Sequence, residues 1–351
     1  MKKIKIIIFI SAFILFIILG IIFWYELNIN FKINAKSGYV KFQILPNQKM
    51  GIILDNLKKE KLISSTSAAY IYLNIQKPLF SFYPGEYRLY NGENLPALLN
   101  TFNKGPFYKI IYIPSGLRIA EEANVIRNEL SVTNKQYKFS RSNFRLIAHK
   151  TFRNYYNYSF LSYIPSQGTL EGFLYPGYYT VPLNANAKYI IGKELSSFEN
   201  NIFLKYKSLL IANTNNLSFY QNMVIASIVR RETLYNQGKS IVANIFIRRY
   251  FLGIPLGSDA TVQYALGFDQ SEGKWWRTNI TLSDLNIKSP YNTRLYIGIP
   301  PTPICSPGIN SILATFKSTP NDYLFFLAGK NGKLHFARTL TGQNANIAKY
   351  L

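Results

Sequence analysis

Thr169-Leu170-Glu171-Gly172-Phe173-Leu174-Tyr175-Pro176-Gly177-Tyr178-Tyr179 is the stretch around which the chain is organised. Glu171 is the only carboxylate between Glu129 and Glu194, and its neighbours are glycine, proline, leucine and aromatics. A carboxyl group in such surroundings is poorly solvated, so its charged form is disfavoured and its pKa rises. A raised pKa lets it hold a proton at neutral pH and deliver it to a leaving group. Gly172 permits close backbone approach to a ligand, and Pro176-Gly177 signals a turn. The aromatics offer flat faces for sugar rings. A glutamate at a solvent-exposed turn is the plainer reading of the same residues.

The chain around this stretch has 351 residues, enough for two domains beyond an anchor. Hydrophobic content of 48% supplies a core and argues against general disorder. The formal charge of +23 raises nucleic acid as a partner. The basic residues are spread along the chain rather than blocked, however, which argues against it. A single cysteine, Cys305, excludes an internal disulfide framework and a cysteine zinc cluster. With only His149 and His335, a multi-histidine metal site is not expected, and no cofactor is called for.

The N-terminus decides the compartment. Ile6 to Tyr25 contains no charge and one serine, enough to cross a bilayer as a helix. Lys2, Lys3 and Lys5 precede it and Trp24-Tyr25 close it, so the positive-inside rule keeps the N-terminus cytoplasmic and the body outside. The run is long for a signal-peptide core and no small-x-small site follows it, which favours an uncleaved anchor. A linker (26–38) leads to an alternating strand from Tyr39 to Ile44. A helix with Ile52, Ile53, Leu54 and Leu57, a second over Ser67–Leu73, a turn and strand at Tyr83–Leu89, and a helix over Leu95–Phe102 complete a small α+β module, 39–107.

Strand Tyr108–Ile113 opens a larger α+β domain, 108–351, and Pro114-Ser115-Gly116 turns it into a helix carrying Glu121, Glu122 and Arg127. Residues 134–163 are polar, basic and aromatic and carry no clear period. Helices are predicted from Asn186 to the low 200s, over Ser218–Asn236 and over Ile241–Phe251. At about 100° per residue, Glu232 falls between Ile225 and Ile228 on an apolar face, where a carboxylate must be paired or used. Arg249 is a candidate partner. Ser258 or Asp259 caps the next helix. Ser289–Pro307 is a proline-rich loop bearing Tyr291, Asn292, Thr293 and Arg294, suited to a shaped cleft wall or simply to loop packing. A short helix and a hairpin, Tyr323–Ala328 and Leu334–Ala337 about Gly329-Lys330-Asn331-Gly332, close the chain.

These motifs resemble the YceG-like family of endolytic murein transglycosylases over nearly the whole chain. The resemblance rests on Leu170-Glu171-Gly172-Phe173-Leu174-Tyr175-Pro176, on Ala226-Ser227-Ile228-Val229 with Glu232-Thr233, and on Asp259-Ala260-Thr261-Val262 with Tyr264. It extends to Ser289-Pro290-Tyr291-Asn292-Thr293 and Gly298-Ile299-Pro300-Pro301. It implies a LysM-like subdomain over 39–107, catalysis by Glu171, and substrate-binding or positioning roles for Glu232, Tyr175, Asp259, Thr261, Tyr291, Asn292 and Thr293. It also implies peptidoglycan as substrate, an inner-membrane site with a periplasmic body, and penicillin-binding synthases as partners. Gly177, Arg230, Arg248 and Ala260 depart from the family pattern, and a non-catalytic glycan-binding scaffold is the competing class. The implied chemistry is lytic: one carboxyl protonates the leaving oxygen, then accepts the proton of the sugar's own C6 hydroxyl as a 1,6-anhydro ring closes.

Overall fold

A long helix, α1 (Lys2–Ile29), opens the computed structural model, which describes residues 2–32, 38–75, 82–90, 92–131, 138–212, 215–233 and 236–351. Ile8–Ile29 has mean hydropathy 2.7 and is long and apolar enough to cross a membrane. The helix runs four residues past the predicted span. Its end is held by Ser64, whose hydroxyl donates to Asn28 O at 3.1 Å and to Asn28 Oδ1 at 3.0 Å, and by burial of Ile29. Parts of the predicted linker and of the 134–163 stretch lie outside the described residues.

The fold is mixed α+β and divides into two compact units. The first takes the described residues among Met1–Ile111, Leu130–Tyr137 and Tyr179–Asn184; the second takes Tyr112–Glu129, Lys138–Tyr178 and Ala185–Leu351. In the first, β1 (Tyr39–Ile44) alternates as read, with Phe42 and Ile44 inward. It is followed by α2 (Met50–Lys59), α3 (Thr66–Ile75), β2 (Gly85–Tyr90), α4 (Leu95–Asn103) and β3 (Tyr108–Ile113). Strands β1 and β2 pair antiparallel from Tyr39↔Tyr90 to Ile44↔Gly85, and β2 meets β3 at Gly85↔Lys109. Any side chain at Gly85 would put its Cβ 2.3 Å from Tyr108 O, so glycine is required there. Helix α4 starts where the Asn94 side chain accepts from Ala97 N at 3.1 Å. Its Phe102 sits edge-on to Phe42, Phe82 and Tyr87, which concentrates the apolar burial of the unit.

The second unit is largely helical: α5 (Ile119–Leu130), α6 (Arg141–Leu146), α7 (Ala187–Phe198), α8 (Lys207–Ile211) and α9 (Phe219–Glu232), then α10 (Lys239–Phe251), α11 (Asp259–Leu266) and α12 (Ile309–Phe316). Strand β4 (Gly177–Pro182) leaves it to complete the sheet order β1-β2-β3-β4. Helix α9 is buried almost throughout and begins with a reciprocal capping box between Ser218 and Gln221. It ends at Glu232, short of the predicted Asn236, because Thr233 turns extended. The stretch without a legible period folds as α6, a π turn at Ile147–Thr151 and 3₁₀ turns at Phe152–Asn154 and Ser159–Tyr163. Their Phe144, Phe152 and Phe160 are fully buried. Phe173 joins this cluster, 5.7 Å from Phe160 and 5.5 Å from Phe198, so it is core rather than a platform for a sugar. The expected hairpin is β5 (Phe325–Ala328) with β6 (Leu334–Ala337) in antiparallel register. Beyond it lies a helix with no apolar period, α13 (Leu340–Tyr350), started by Thr339 accepting from Gly342 N.

Candidate active site

Pro114-Ser115-Gly116 does turn β3 into α5, and that turn creates the seat for Glu171. Gly116 N donates to Ser306 O at 2.7 Å and Ser306 N to Leu117 O at 2.8 Å, which pins the entry of α5 to the proline-rich loop. The first N–H of α5, Ile119 N, has no intrahelical acceptor. It donates instead to the Glu171 carboxyl, at 3.0 Å to Oε1 and 3.3 Å to Oε2. Glu171 itself lies in a tight turn, its N–H donating to Thr169 Oγ1 at 3.1 Å. Gly172 has φ +89°, and a Cβ there would lie 2.6 Å from the Pro303 ring. The close approach that requires glycine at 172 is to the proline-rich loop of the protein itself.

Glu171 is only 2% exposed. Burial pushes its carboxyl up to about 8, opposed by the Ile119 N–H, by the Arg118 charge and by the Tyr264 hydroxyl, while Glu122 adds to the rise. The outcome is an acid that keeps its proton at pH 7 although it faces a helix N-terminus, which ordinarily favours the anion. The exposed-turn alternative does not hold.

Tyr264 Oη donates to Glu171 Oε2 at 3.3 Å, and its ring lies 4.7 Å from that of Tyr291, whose hydroxyl bonds Thr302 at 2.8 Å. Arg118 is buried beneath them. Its guanidinium lies 4.7 Å from the Tyr264 ring and 4.2 Å from that of Trp276, and donates to the backbone oxygens of Tyr264 and Trp275. Glu121 holds both ends of this arrangement, accepting from Arg118 N at 3.1 Å and from Trp276 Nε1 at 2.8 Å. Arg118 and Tyr264 were not chosen from sequence. The available signal was a cation at the start of a helix, where the dipole disfavours it unless it is used.

Glu232 is half-buried at the end of α9, and burial raises its pKa. Its partner is not Arg249, which donates to Leu324 O and Leu256 O. Glu232 accepts from the Ser258 hydroxyl and from Ala260 N. Ser258, the N-cap of α11, thus gives its hydroxyl to Glu232, and the carboxylate from α9 satisfies the helix start in its place. Asp259 is exposed and ion-paired with Arg294. Thr261 and Thr293 are buried and share a hydroxyl bond of 2.8 Å, and Ser258 N donates to Thr293 Oγ1 at 3.1 Å. Asn292 is fully buried, its amide donating to Leu285 O and Ile287 O and its oxygen accepting from Arg294 N. Tyr175 is half-buried and lines a cavity of about 300 Å³ next to the Glu171 turn. Tyr264, packed on Tyr291, thus bonds the Glu171 carboxyl, Thr293 and Thr261 tie the loop to α11, and Asn292 ties it to the backbone at Leu285 and Ile287.

One buried acid at the head of a helix, roofed by tyrosines in an α+β body with an apolar N-terminal helix, defines the class. Residues 42–349 match the YceG-like family, and the chain belongs to it. It is 28% identical to an endolytic murein transglycosylase of Bacillus subtilis, over 89% of this chain and 85% of that protein. It is 29% identical to an endolytic murein transglycosylase of Streptococcus pneumoniae, over 52% of this chain but 32% of that longer protein. The crystal structure of a yceG-like protein of Listeria monocytogenes superposes with a TM-score of 0.62 at 25% identity, covering 88% of this chain and 98% of that one.

Proposed function

We propose that the protein is a peptidoglycan lytic transglycosylase in which Glu171 is both acid and base. The carrying observation is a single carboxyl, protonated at neutral pH, that no second carboxylate touches among the described residues. Hydrolytic glycosidases use two carboxylates, one as nucleophile or as base for water. One suffices when the substrate supplies its own nucleophile. Glu171 gives its proton to the GlcNAc O4 as the bond to MurNAc C1 breaks. The resulting carboxylate, steadied by Ile119 N and the Tyr264 hydroxyl, then takes the proton of the MurNAc C6 hydroxyl. O6 closes on C1, the 1,6-anhydro ring forms, and no water is consumed. The relatives' names as endolytic murein transglycosylases support cleavage of peptidoglycan. Nascent strands as the substrate and strand termination as the outcome are the further part of the proposal.

Mass spectrometry of products from purified peptidoglycan tests it. Wild type yields anhydro ends, and Glu171→Gln loses about 10²–10⁴-fold in rate with unchanged melting temperature. Reducing ends would make the enzyme a hydrolase, and binding without products would make it a scaffold. The basic Lys2, Lys3 and Lys5 before an apolar helix support a cytoplasmic N-terminus and an external body. A reporter fused after Leu351 is then active only outside the cytoplasm, and activity inside overturns that orientation.

A further inference from the structure

The cavity of about 300 Å³ in the second unit is walled on one side by Tyr175, Pro176 and Gly177, the chain that leaves the Glu171 turn. Arg230 and Lys239 line it, and none of the lining residues is acidic. Arg230 donates to Ser115 Oγ at 2.9 Å and to Ser115 O at 2.8 Å, both neutral acceptors. Lys239 is 3% exposed and donates to Thr233 O and to Thr233 Oγ1, again neutral. Among the described residues neither cation has an ion-pair partner. The Lys239 ammonium is pushed down to about 8, first by burial and then by Arg230. A buried cation such as Lys239 without counter-charge is unfavourable unless something supplies it, and the half-buried Arg230 adds a second positive charge to the same cavity. Helix α12 opens on the same cavity, and its N-cap, Gly308, has no side chain to offer its first N–H groups.

Building on Glu171 as the transglycosylase acid, we propose that this cavity binds a carboxylate of the peptide stem carried by the sugar strand, with Arg230 and Lys239 as its counter-charges. The aminosugar rings of the strand are uncharged, and the free carboxylates are on the peptide. Two short tethers set the distance. Tyr175 is four residues from Glu171, and Ser115 is four from Ile119, whose N–H holds that carboxyl. Each spans at most about 14 Å of chain, so a muramic residue seated at Glu171 has its stem within reach of the cavity.

The test uses the full-length protein in detergent, titrated with a synthetic stem peptide, the same peptide with its carboxylates amidated, and inorganic phosphate. The free peptide binds, and amidation weakens it about tenfold or more, as loss of a charge-assisted pair does. Arg230→Gln weakens it similarly. Asn310 is an exposed lining residue, so Asn310→Asp brings a competing negative charge without disturbing the core and weakens the peptide as well. Equal binding of the amidated peptide, or unchanged binding by Asn310→Asp, overturns the proposal. Phosphate binding as tightly as peptide overturns the peptide assignment in favour of a general anion site. In turnover, the wild-type preference in kcat/KM for peptide-bearing over peptide-stripped strands falls towards one in Asn310→Asp. If wild type releases anhydro product from neither strand, the transglycosylase reading fails while the titration still decides the cavity.

Discussion

Glu171 owes its chemistry to contacts that no local stretch of sequence displays. Its isolation among apolar residues was legible, and burial follows from it. Ile119 N and Tyr264 lie 52 and 93 positions away, so what tunes the carboxyl was not. Both donors favour the carboxylate, and burial outweighs them. An acid raised to about 8 is protonated and competent below that pH, so turnover falls as pH rises through 8. Tyr264→Phe keeps the ring against Tyr291 and removes the hydroxyl. The charged form loses a donor, the carboxyl pKa rises further, and the alkaline limb of the pH–rate profile moves to higher pH. The proton-accepting step loses the same donor, so kcat drops by about five- to tenfold. A variant with an unshifted limb and wild-type kcat would remove Tyr264 from the site.

Helix α11 joins the two carboxyls that the sequence singled out separately. Glu232 accepts at its start through Ser258 and Ala260, and Tyr264, a turn further on, touches Glu171. The apolar period of α9 showed that Glu232 needed a partner but could not name it, because the partner belongs to another element. Glu232→Ala leaves the Ser258 hydroxyl and the Ala260 N–H without their acceptor. Stability falls by about 1–3 kcal/mol, and kcat falls with it as α11 loosens over Glu171. Unchanged melting temperature and full turnover would mean that α11 needs no such support. Legibility at this scale followed periodicity. Strand β1 and helices α2, α4 and α9 announce themselves by regular apolar spacing. The stretch from α6 to Tyr163 does not, because a π turn and two 3₁₀ turns break the period while still burying Phe144, Phe152 and Phe160. Helix α13 was missed because none of its residues is buried. Its helical state rests on a cap and on His335 stacked over Tyr350.

Across the second unit, three buried carboxyls make folding itself respond to pH. Glu122 of α5 and Glu194 of α7 are fully buried side by side, and no donor among the described residues bonds any of their four carboxyl oxygens, so a pair of anions is disfavoured and at least one acid holds its proton. Burial pushes Glu122 up to about 7 and Glu194 well above the ordinary value, and Glu122 in turn raises Glu171. Each group is raised in the folded chain, so its contribution is full below the unfolded value of 4.5 and is lost as pH rises through the folded one. The lowered carboxyls Asp269, Glu272, Asp284 and Asp322 act oppositely, but on the acid side of 4.5, and they are surface groups. Thermal melts should therefore show stability declining from pH 5 to pH 8. Glu122→Gln supplies a permanent N–H to the Glu194 carboxylate, so the pair no longer needs a held proton. The decline becomes shallower, and melting at pH 8 rises by on the order of 2–8 °C. Because Glu122 adds to the rise at Glu171, the same substitution moves the alkaline limb of activity to lower pH. A variant that melts with the wild-type pH slope would show that the Glu122–Glu194 pair holds no proton in the folded protein.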